Sequence, residues 1–165
     1  MPAGSEPPVS AEHPEQPTLP RTWRPFGVRA MGIVLLVALY GLGGFMWFAF
    51  DDETRAKFTV FQRSTLLFFA LLILVLVHAL TRSRIEARSE GLVVVNGYRR
   101  RDLAWEQVLA VHLPAGAPWV TLDLADGTSV PAMGIQASDG GSAKRAVREL
   151  RALIAAPPAA PPAVD

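Results

Sequence analysis

The stretch Ala30–Phe50, AMGIVLLVALYGLGGFMWFAF, decides the architecture of this chain, because its 21 residues include no charged side chain. As an α-helix it would be roughly 31 Å long, which matches the hydrocarbon core of a bilayer at about 30 Å. A second run, Ser64–Leu80, has 17 residues and only three polar side chains. It would be roughly 25 Å long, and it spans the core if Arg63 and Arg82 extend to the two interfaces.

Two other interpretations of these runs fit the sequence less well. A helical hairpin buried in a soluble core would seldom remain free of charge over this length. A cleaved signal peptide would have an apolar core of about 7–15 residues, followed by a small-x-small cleavage site. The chain instead reads FAFDD at residues 48–52. The sequence therefore predicts a retained membrane hairpin at 30–80, with helices at 30–50 and 64–80.

The remaining segments flank this hairpin on both sides. The first 20 residues hold six of the 14 prolines and no basic residue. Residues 1–29 are therefore predicted to be a disordered tail that leads into a basic juxtamembrane segment. Residues 82–156 are the only other segment long enough to bury a core, and that core would be small. Residues 157–165, PPAAPPAVD, form a second tail rich in proline and alanine.

The distribution of basic residues predicts the orientation in the membrane. Six arginines flank the hairpin on the side of the tails, and three basic residues lie in or beside the connecting loop. The positive-inside bias then places both termini in the cytoplasm and the loop outside, in a two-helix, multi-pass protein of the inner cell membrane. The six are Arg21, Arg24, Arg29, Arg82, Arg84 and Arg88; the three are Arg55, Lys57 and Arg63.

The pattern becomes strand-like after the second run. Alternating or β-branched segments are separated by turn signals such as Asn96-Gly97 and Asp126-Gly127, which predicts an antiparallel meander. Six strands are predicted: Arg84–Ala87, Leu92–Val95, Tyr98–Leu103, Val108–Leu113, Trp119–Leu124 and Thr128–Met133.

The last element is predicted to be an amphipathic helix. Ala143, Val147, Leu150 and Ile154 recur at helical spacing and form one apolar stripe. Asp139 or Ser142 is the expected N-cap of this helix. A run of strands followed by one helix that covers them predicts an α+β domain.

A set of short motifs in this order carries a family resemblance: RIEA at 84–87, GL at 91–92, WEQV at 105–108, WVTL at 119–122, DGT at 126–128 and VREL at 147–150. The order resembles the bacterial pleckstrin-homology-like (PH) domain. More closely, residues 21–155 are similar to the low-molecular-weight protein antigen 6 family of high-GC bacteria, in which two membrane helices precede a short PH-like domain. The resemblance implies a PH-like antiparallel barrel or sandwich and a membrane location, but no activity. A full PH fold has seven strands, and the sequence shows six.

The chemistry-bearing residues predict no enzyme. The chain has no cysteine, and its three histidines are not at a metal-ligand spacing. Gly41-Leu42-Gly43-Gly44 lacks the strand and the Lys-Ser/Thr pair of a phosphate loop, so these glycines are expected to let the second helix approach closely. We expect no catalytic residue, no cofactor and no metal. Residues 82–156 hold ten Lys/Arg against eight Asp/Glu, so nucleic acid is not an expected partner.

The most prominent polar feature is Arg99-Arg100-Arg101, just after the Asn96-Gly97 turn. Together with Arg82 and Arg84, these arginines are candidates for contact with anionic lipid, each contributing about 1 kcal/mol. A solvated strand edge that resists aggregation is the alternative. The predicted function is a membrane-held scaffold whose partners are the lipid bilayer and an unidentified membrane or cytosolic protein; the alternative is a sensor of anionic lipid.

Overall fold

A computed structural model describes residues 18–158, so most of both terminal tails lies outside the described residues. The elements are β1 (Arg21–Trp23), α1 (Phe26–Ala49), α2 (Asp52–Lys57), α3 (Val60–Arg82), β2 (Arg84–Ala87), β3 (Leu92–Asn96), β4 (Arg99–Leu103), β5 (Val108–His112), β6 (Trp119–Leu124), β7 (Ser129–Gln136) and α4 (Gly141–Ala155). Single 3-10 turns occur at Trp105–Gln107 and Ala137–Asp139.

The hairpin helices α1 and α3 are longer than the apolar runs that predicted them. They have 24 and 23 residues, which corresponds to roughly 35 Å each, so both reach across a hydrocarbon core. Thr59 and Gln62 form a capping box at the start of α3, which fixes its first turn. Almost all of their apolar side chains are uncovered by the rest of the chain. This exposure is typical of helices that face lipid.

The close approach of α1 and α3 lies near the ends that join the strands. A Cβ added at Gly32 would lie 2.8 Å from Val77 Cγ1, so a glycine is required there for the two helices to touch. The expectation for Gly41, Gly43 and Gly44 is wrong, because a Cβ at each would meet no heavy atom within 4 Å. Farther along the pair, the Tyr40 hydroxyl donates to the Ala70 carbonyl at 2.7 Å.

Within residues 18–158, seven strands form two antiparallel sheets, with the orders β1-β2-β3-β4 and β5-β6-β7. The strand that the sequence did not reveal is β1, which lies in the segment predicted to be juxtamembrane tail. Thr22 pairs with Glu86 and Trp23 with Ile85, although the whole hairpin separates β1 from β2 in the sequence. The hairpin is therefore an insertion between two neighbouring strands. We call residues 18–25 and 83–158 the β domain.

The core of the β domain lies between the two sheets and beneath α4. Trp23, Ile85, Leu122 and Leu150 belong to one buried cluster, and Leu150 is completely inaccessible to solvent. The stripe on α4 thus covers the sheets as predicted, and the α+β fold class is confirmed. At Gly134 a Cβ would lie 2.5 Å from the backbone of Arg84, so the two sheets can cross this closely only because a glycine stands there.

Candidate membrane-proximal site

The start of α1 is attached to the β domain by a single carboxylate. Asp139 accepts hydrogen bonds from the backbone N–H groups of Phe26 at 3.1 Å and Gly27 at 2.8 Å. Asp139 therefore caps α1 at its first turn, where unpaired N–H groups and the positive end of the helix dipole favour an anion. The expectation that Asp139 or Ser142 caps α4 is wrong, because the N-cap of α4 is Gly140, which has no side chain to accept a hydrogen bond from the first turn.

The end of α3 is attached to the turn between β3 and β4. Ser83 is buried, and its hydroxyl accepts the backbone N–H of Gly97 at 3.0 Å. His78 Nδ1 shares a hydrogen bond of 2.9 Å with the Tyr98 hydroxyl, and the Arg82 guanidinium lies 5.9 Å from the centre of the Tyr98 ring. The hydroxyl thus gives His78, which lies within the second apolar run, a polar partner. Both ends of the hairpin are consequently bonded to the same domain.

The five arginines predicted to contact lipid do not form one cluster. Arg84 pairs with Glu86, and Arg100 pairs with Asp102 at 2.7 Å. Arg82 stacks on the Tyr98 ring. Arg99 and Arg101 are exposed and make no ion pair within residues 18–158. Because side chains alternate along a strand, Arg99 and Arg101 lie on the face of β4 opposite to that of Arg100.

The paired arginines lower the pKa of the carboxyl groups beside them. Hydrogen bonds from Arg84 and Arg88 hold the pKa of Glu86 below its ordinary value of 4.5. A hydrogen bond from Arg100 lowers the pKa of Asp102 and raises that of Arg100 itself. These arginines are engaged within the outer face of the sheet, which leaves Arg99 and Arg101 as the members of the predicted set best placed to meet another anion.

A cleft that the sequence did not predict lies between β1 and α4. Its volume is about 410 Å³, and its lining residues include the three arginines Arg21, Arg24 and Arg145. The Trp23 indole N–H donates to Glu149 at 3.0 Å within the same lining. No local pattern indicates this cleft, because its residues come together only when β1 pairs across the hairpin.

The histidine and carboxylate side chains of the described residues are the groups that could hold a metal ion or take part in catalysis. In residues 18–158 no group of three or more His, Asp or Glu side chains could hold a metal ion. On the surface of β5–β7, Asp123 bonds to His112 at 3.2 Å and to the Ser129 hydroxyl at 2.8 Å. A nucleophile–base triad needs the histidine between the other two, whereas here the aspartate occupies that place. This trio is therefore a cross-strand polar network.

Comparison with known proteins relates most of the β domain to a bacterial domain family. The family model for the bacterial PH domain matches residues 82–153, which begin at the last residue of α3 and leave out β1. Two relatives, uncharacterised proteins of Mycobacterium bovis and Mycobacterium tuberculosis, are each 32% identical over 136 residues, covering 81% of this chain and 84% of theirs. No solved structure matches the chain significantly.

Proposed function

The chain belongs to the bacterial PH domain family, and we propose that it is a non-catalytic interaction module that holds a protein partner at the inner face of the membrane. The partner is a membrane or cytosolic protein. The two helices, each long and apolar enough to cross a bilayer, indicate a membrane protein. A PH fold by itself implies no enzymatic activity.

The insertion of the hairpin between β1 and β2 supports this proposal most strongly. A domain that follows an anchor through a flexible linker rotates freely. Here Asp139 accepts a hydrogen bond from the first turn of α1. At the other end of the hairpin, Ser83, which follows α3, bonds to Gly97 in the turn between β3 and β4, and Tyr98 bonds to His78 on α3. The domain is thereby held at a fixed orientation to the bilayer. A fixed orientation suits a surface on which a partner assembles.

The orientation in the cell is part of the proposal. The β domain receives both ends of the hairpin, so it lies on one side of the membrane together with both termini. Six arginines flank the hairpin on this side against three basic residues around the loop, which favours the cytoplasm for the β domain.

Photo-crosslinking in native membranes tests the interaction. A photoreactive phenylalanine at Leu109, which is 63% exposed on edge strand β5, should give discrete crosslinked adducts. The same probe at Phe61, 80% exposed at the loop end of α3, is the matched control and should not give those adducts. If probes at Leu109 and at Asp102 on edge strand β4 both fail to yield a discrete adduct, the scaffold proposal is wrong.

A second candidate function is the sensing of anionic lipid through β4. Arg99 and Arg101 are exposed, and they follow Tyr98, which contacts the last turns of α3. Each exposed arginine of this kind contributes about 1 kcal/mol to the free energy of binding to an anionic membrane surface. Salt weakens this attraction, with a screening length of about 8 Å near physiological ionic strength. The predicted set Arg82, Arg84, Arg99, Arg100 and Arg101 would thus act mainly through two of its members.

Vesicle co-sedimentation separates this candidate from the scaffold. The protein for this test is the relinked domain, in which a four-residue Gly/Ser loop joins Arg24 to Arg84 in place of the hairpin. Replacing Arg99 and Arg101 by Gln should remove salt-sensitive binding to anionic vesicles, whereas Arg100→Gln should retain most of it. Equal sedimentation of all three proteins at low salt would exclude the lipid-sensing function of β4.

A further inference from the structure

The cleft between β1 and α4 contains more positive than negative side chains. Arg21, Arg24 and Arg145 line it together with the carboxylates of Asp139 and Glu149. Its volume of about 410 Å³ falls within the range of small-molecule sites, roughly 300–1,000 Å³. The chemistry of the cleft depends on which of these charges already have partners.

Both carboxylates are engaged by the protein itself. Glu149 accepts the indole N–H of Trp23 at 3.0 Å and forms an ion pair with Arg21 at 3.1 Å. Asp139 accepts the first two N–H groups of α1. Arg24 and Arg145 are exposed, and neither forms an ion pair with any residue of the described part of the chain. Two guanidinium groups in one cleft therefore remain available to an anion from outside.

With α1 crossing a bilayer, the cleft opens at the level of the lipid headgroups. Asp139, which lines it, bonds to the start of α1 at Phe26 and Gly27. The charge-free run begins at Ala30, which is roughly 6 Å along the helix from Phe26. The headgroup layer outside each face of the hydrocarbon core is of about the same thickness. Arg24, two residues before Phe26, thus lies at the depth of the phosphates.

We propose that this cleft binds the phosphate of an anionic phospholipid between the guanidinium groups of Arg24 and Arg145. The planar guanidinium donates paired hydrogen bonds to phosphate oxygens, and the Ser142 hydroxyl in the same lining is a further donor. The acyl chains of the lipid extend beside α1. This site is formed by β1 and α4, so it is separate from the exposed arginines of β4 and does not depend on a protein partner.

Native mass spectrometry of the full chain in a neutral detergent tests the proposal. Titration with short-chain phosphatidylglycerol should give a one-to-one complex that forms at lower lipid concentration than the complex with phosphatidylcholine. Replacing Arg24 and Arg145 by Gln should weaken phosphatidylglycerol binding about tenfold or more, because charge-assisted hydrogen bonds are lost. Replacing both by Lys keeps the charge and removes the fork, so binding should be intermediate.

Two controls decide the outcome. Lys144→Gln removes the same charge from the same turn of α4 outside the cleft lining, and it should leave the apparent Kd within twofold of the wild type. Inorganic phosphate alone, titrated against the wild type, should bind far more weakly than phosphatidylglycerol. If Lys144→Gln weakens phosphatidylglycerol binding as much as the Arg24 and Arg145 substitutions do, the attraction is a diffuse one to basic residues, and the proposed site is wrong. Phosphate binding as tight as lipid binding would overturn the assignment to a lipid, and so would no preference for phosphatidylglycerol.

Discussion

At the scale of single residues, Trp23 links the segment before the hairpin to the core of the β domain. Its side chain is buried in the main cluster, and its indole N–H bonds to Glu149 on α4. Trp23→Ala should therefore lower the free energy of unfolding of the β domain by roughly 3–5 kcal/mol. Denaturant unfolding of the full chain in detergent, followed by the fluorescence of Trp105 and Trp119, measures this change.

The matched control for this prediction is Trp47→Ala. Trp47 lies near the far end of α1, edge-on to Phe58, and contributes nothing to the core of the β domain. It should leave the transition of the β domain unchanged. A Trp23→Ala variant as stable as the wild type would mean that β1 is not part of this core.

Glu86 predicts a pH dependence of stability. Its side chain is 15% exposed and receives hydrogen bonds from Arg84 and Arg88, which lower its pKa in the folded state. Because the pKa of Glu86 is lower in the folded protein than in the unfolded chain, where it is near 4.5, its charged form stabilises the fold at any pH above 4.5. This stabilisation is lost as the pH falls through the pKa that Glu86 has in the folded protein. Glu86→Gln should cost about 1–3 kcal/mol at pH 7, with the difference from the wild type closing below pH 4.5.

Thermal unfolding of both proteins across the acidic range measures this difference. Glu106→Gln is the control, because Glu106 is exposed and forms no ion pair within residues 18–158. If the difference in thermal stability between the Glu86 variant and the wild type stays constant from pH 7 to pH 3, the ion pairs of Glu86 with Arg84 and Arg88 do not have this role.

At the scale of elements, local patterns predicted six strands and missed the seventh. The strand β6, Trp119–Leu124, was predicted with its exact bounds, because apolar residues occupy every second position of its sequence. In the structure these apolar residues are buried and the residues between them are half-buried. By contrast, β1 has three residues, RTW, which are too few to show a period of two. Its partner β2 lies beyond the hairpin, so no turn signal marks the pair. The cleft between β1 and α4 was not predicted either, because it forms only when β1 pairs with β2 across the hairpin.

The helix caps show a similar limit of local reasoning. Asp139 stands just before α4, and its type and position favour an N-cap there. The structure instead directs its carboxylate to α1, 112 residues away in sequence. A cap supplied from so far along the chain depends on tertiary structure. The apolar stripe of α4 was predictable because helical periodicity is contained within one element.

The insertion of the hairpin predicts how the β domain tolerates cutting. A fragment of residues 82–156 lacks β1 and Trp23, so we expect it to aggregate or to unfold with low cooperativity. The relinked domain should instead be soluble and unfold in one transition, because Trp23 lies opposite Ile85 and a short hairpin loop can bridge the neighbouring residues. Circular dichroism and urea unfolding compare the two. A fragment of residues 82–156 as stable as the relinked domain would show that β1 is dispensable.

At the scale of the whole molecule, the arrangement predicts one topology. A reporter that is active only outside the cytoplasm should work when it is fused at Lys57 in the hairpin loop. The same reporter should be inactive after Ala156, because the basic residues that flank the hairpin favour the cytoplasm for the β domain. The reverse pattern would place the β domain outside the cytoplasm. It would contradict the location at the inner leaflet on which both proposals depend.

The central claim is that the membrane hairpin is inserted within the PH domain, so that β1 pairs with β2 across it. The chain has no cysteine, which allows a pair to be placed without interference. Thr22→Cys and Glu86→Cys occupy partnered positions on β1 and β2. A protease site inserted in the loop at Lys57 then allows the chain to be cut between them.

The decisive measurement is electrophoresis of this double-cysteine protein after treatment of native membranes with a short thiol crosslinker and cleavage of the loop. The account predicts that the two fragments remain covalently joined, and that they separate when either cysteine is absent. Separation of the fragments from the double-cysteine protein, with each cysteine shown to react on its own, would contradict the insertion of the hairpin within the domain.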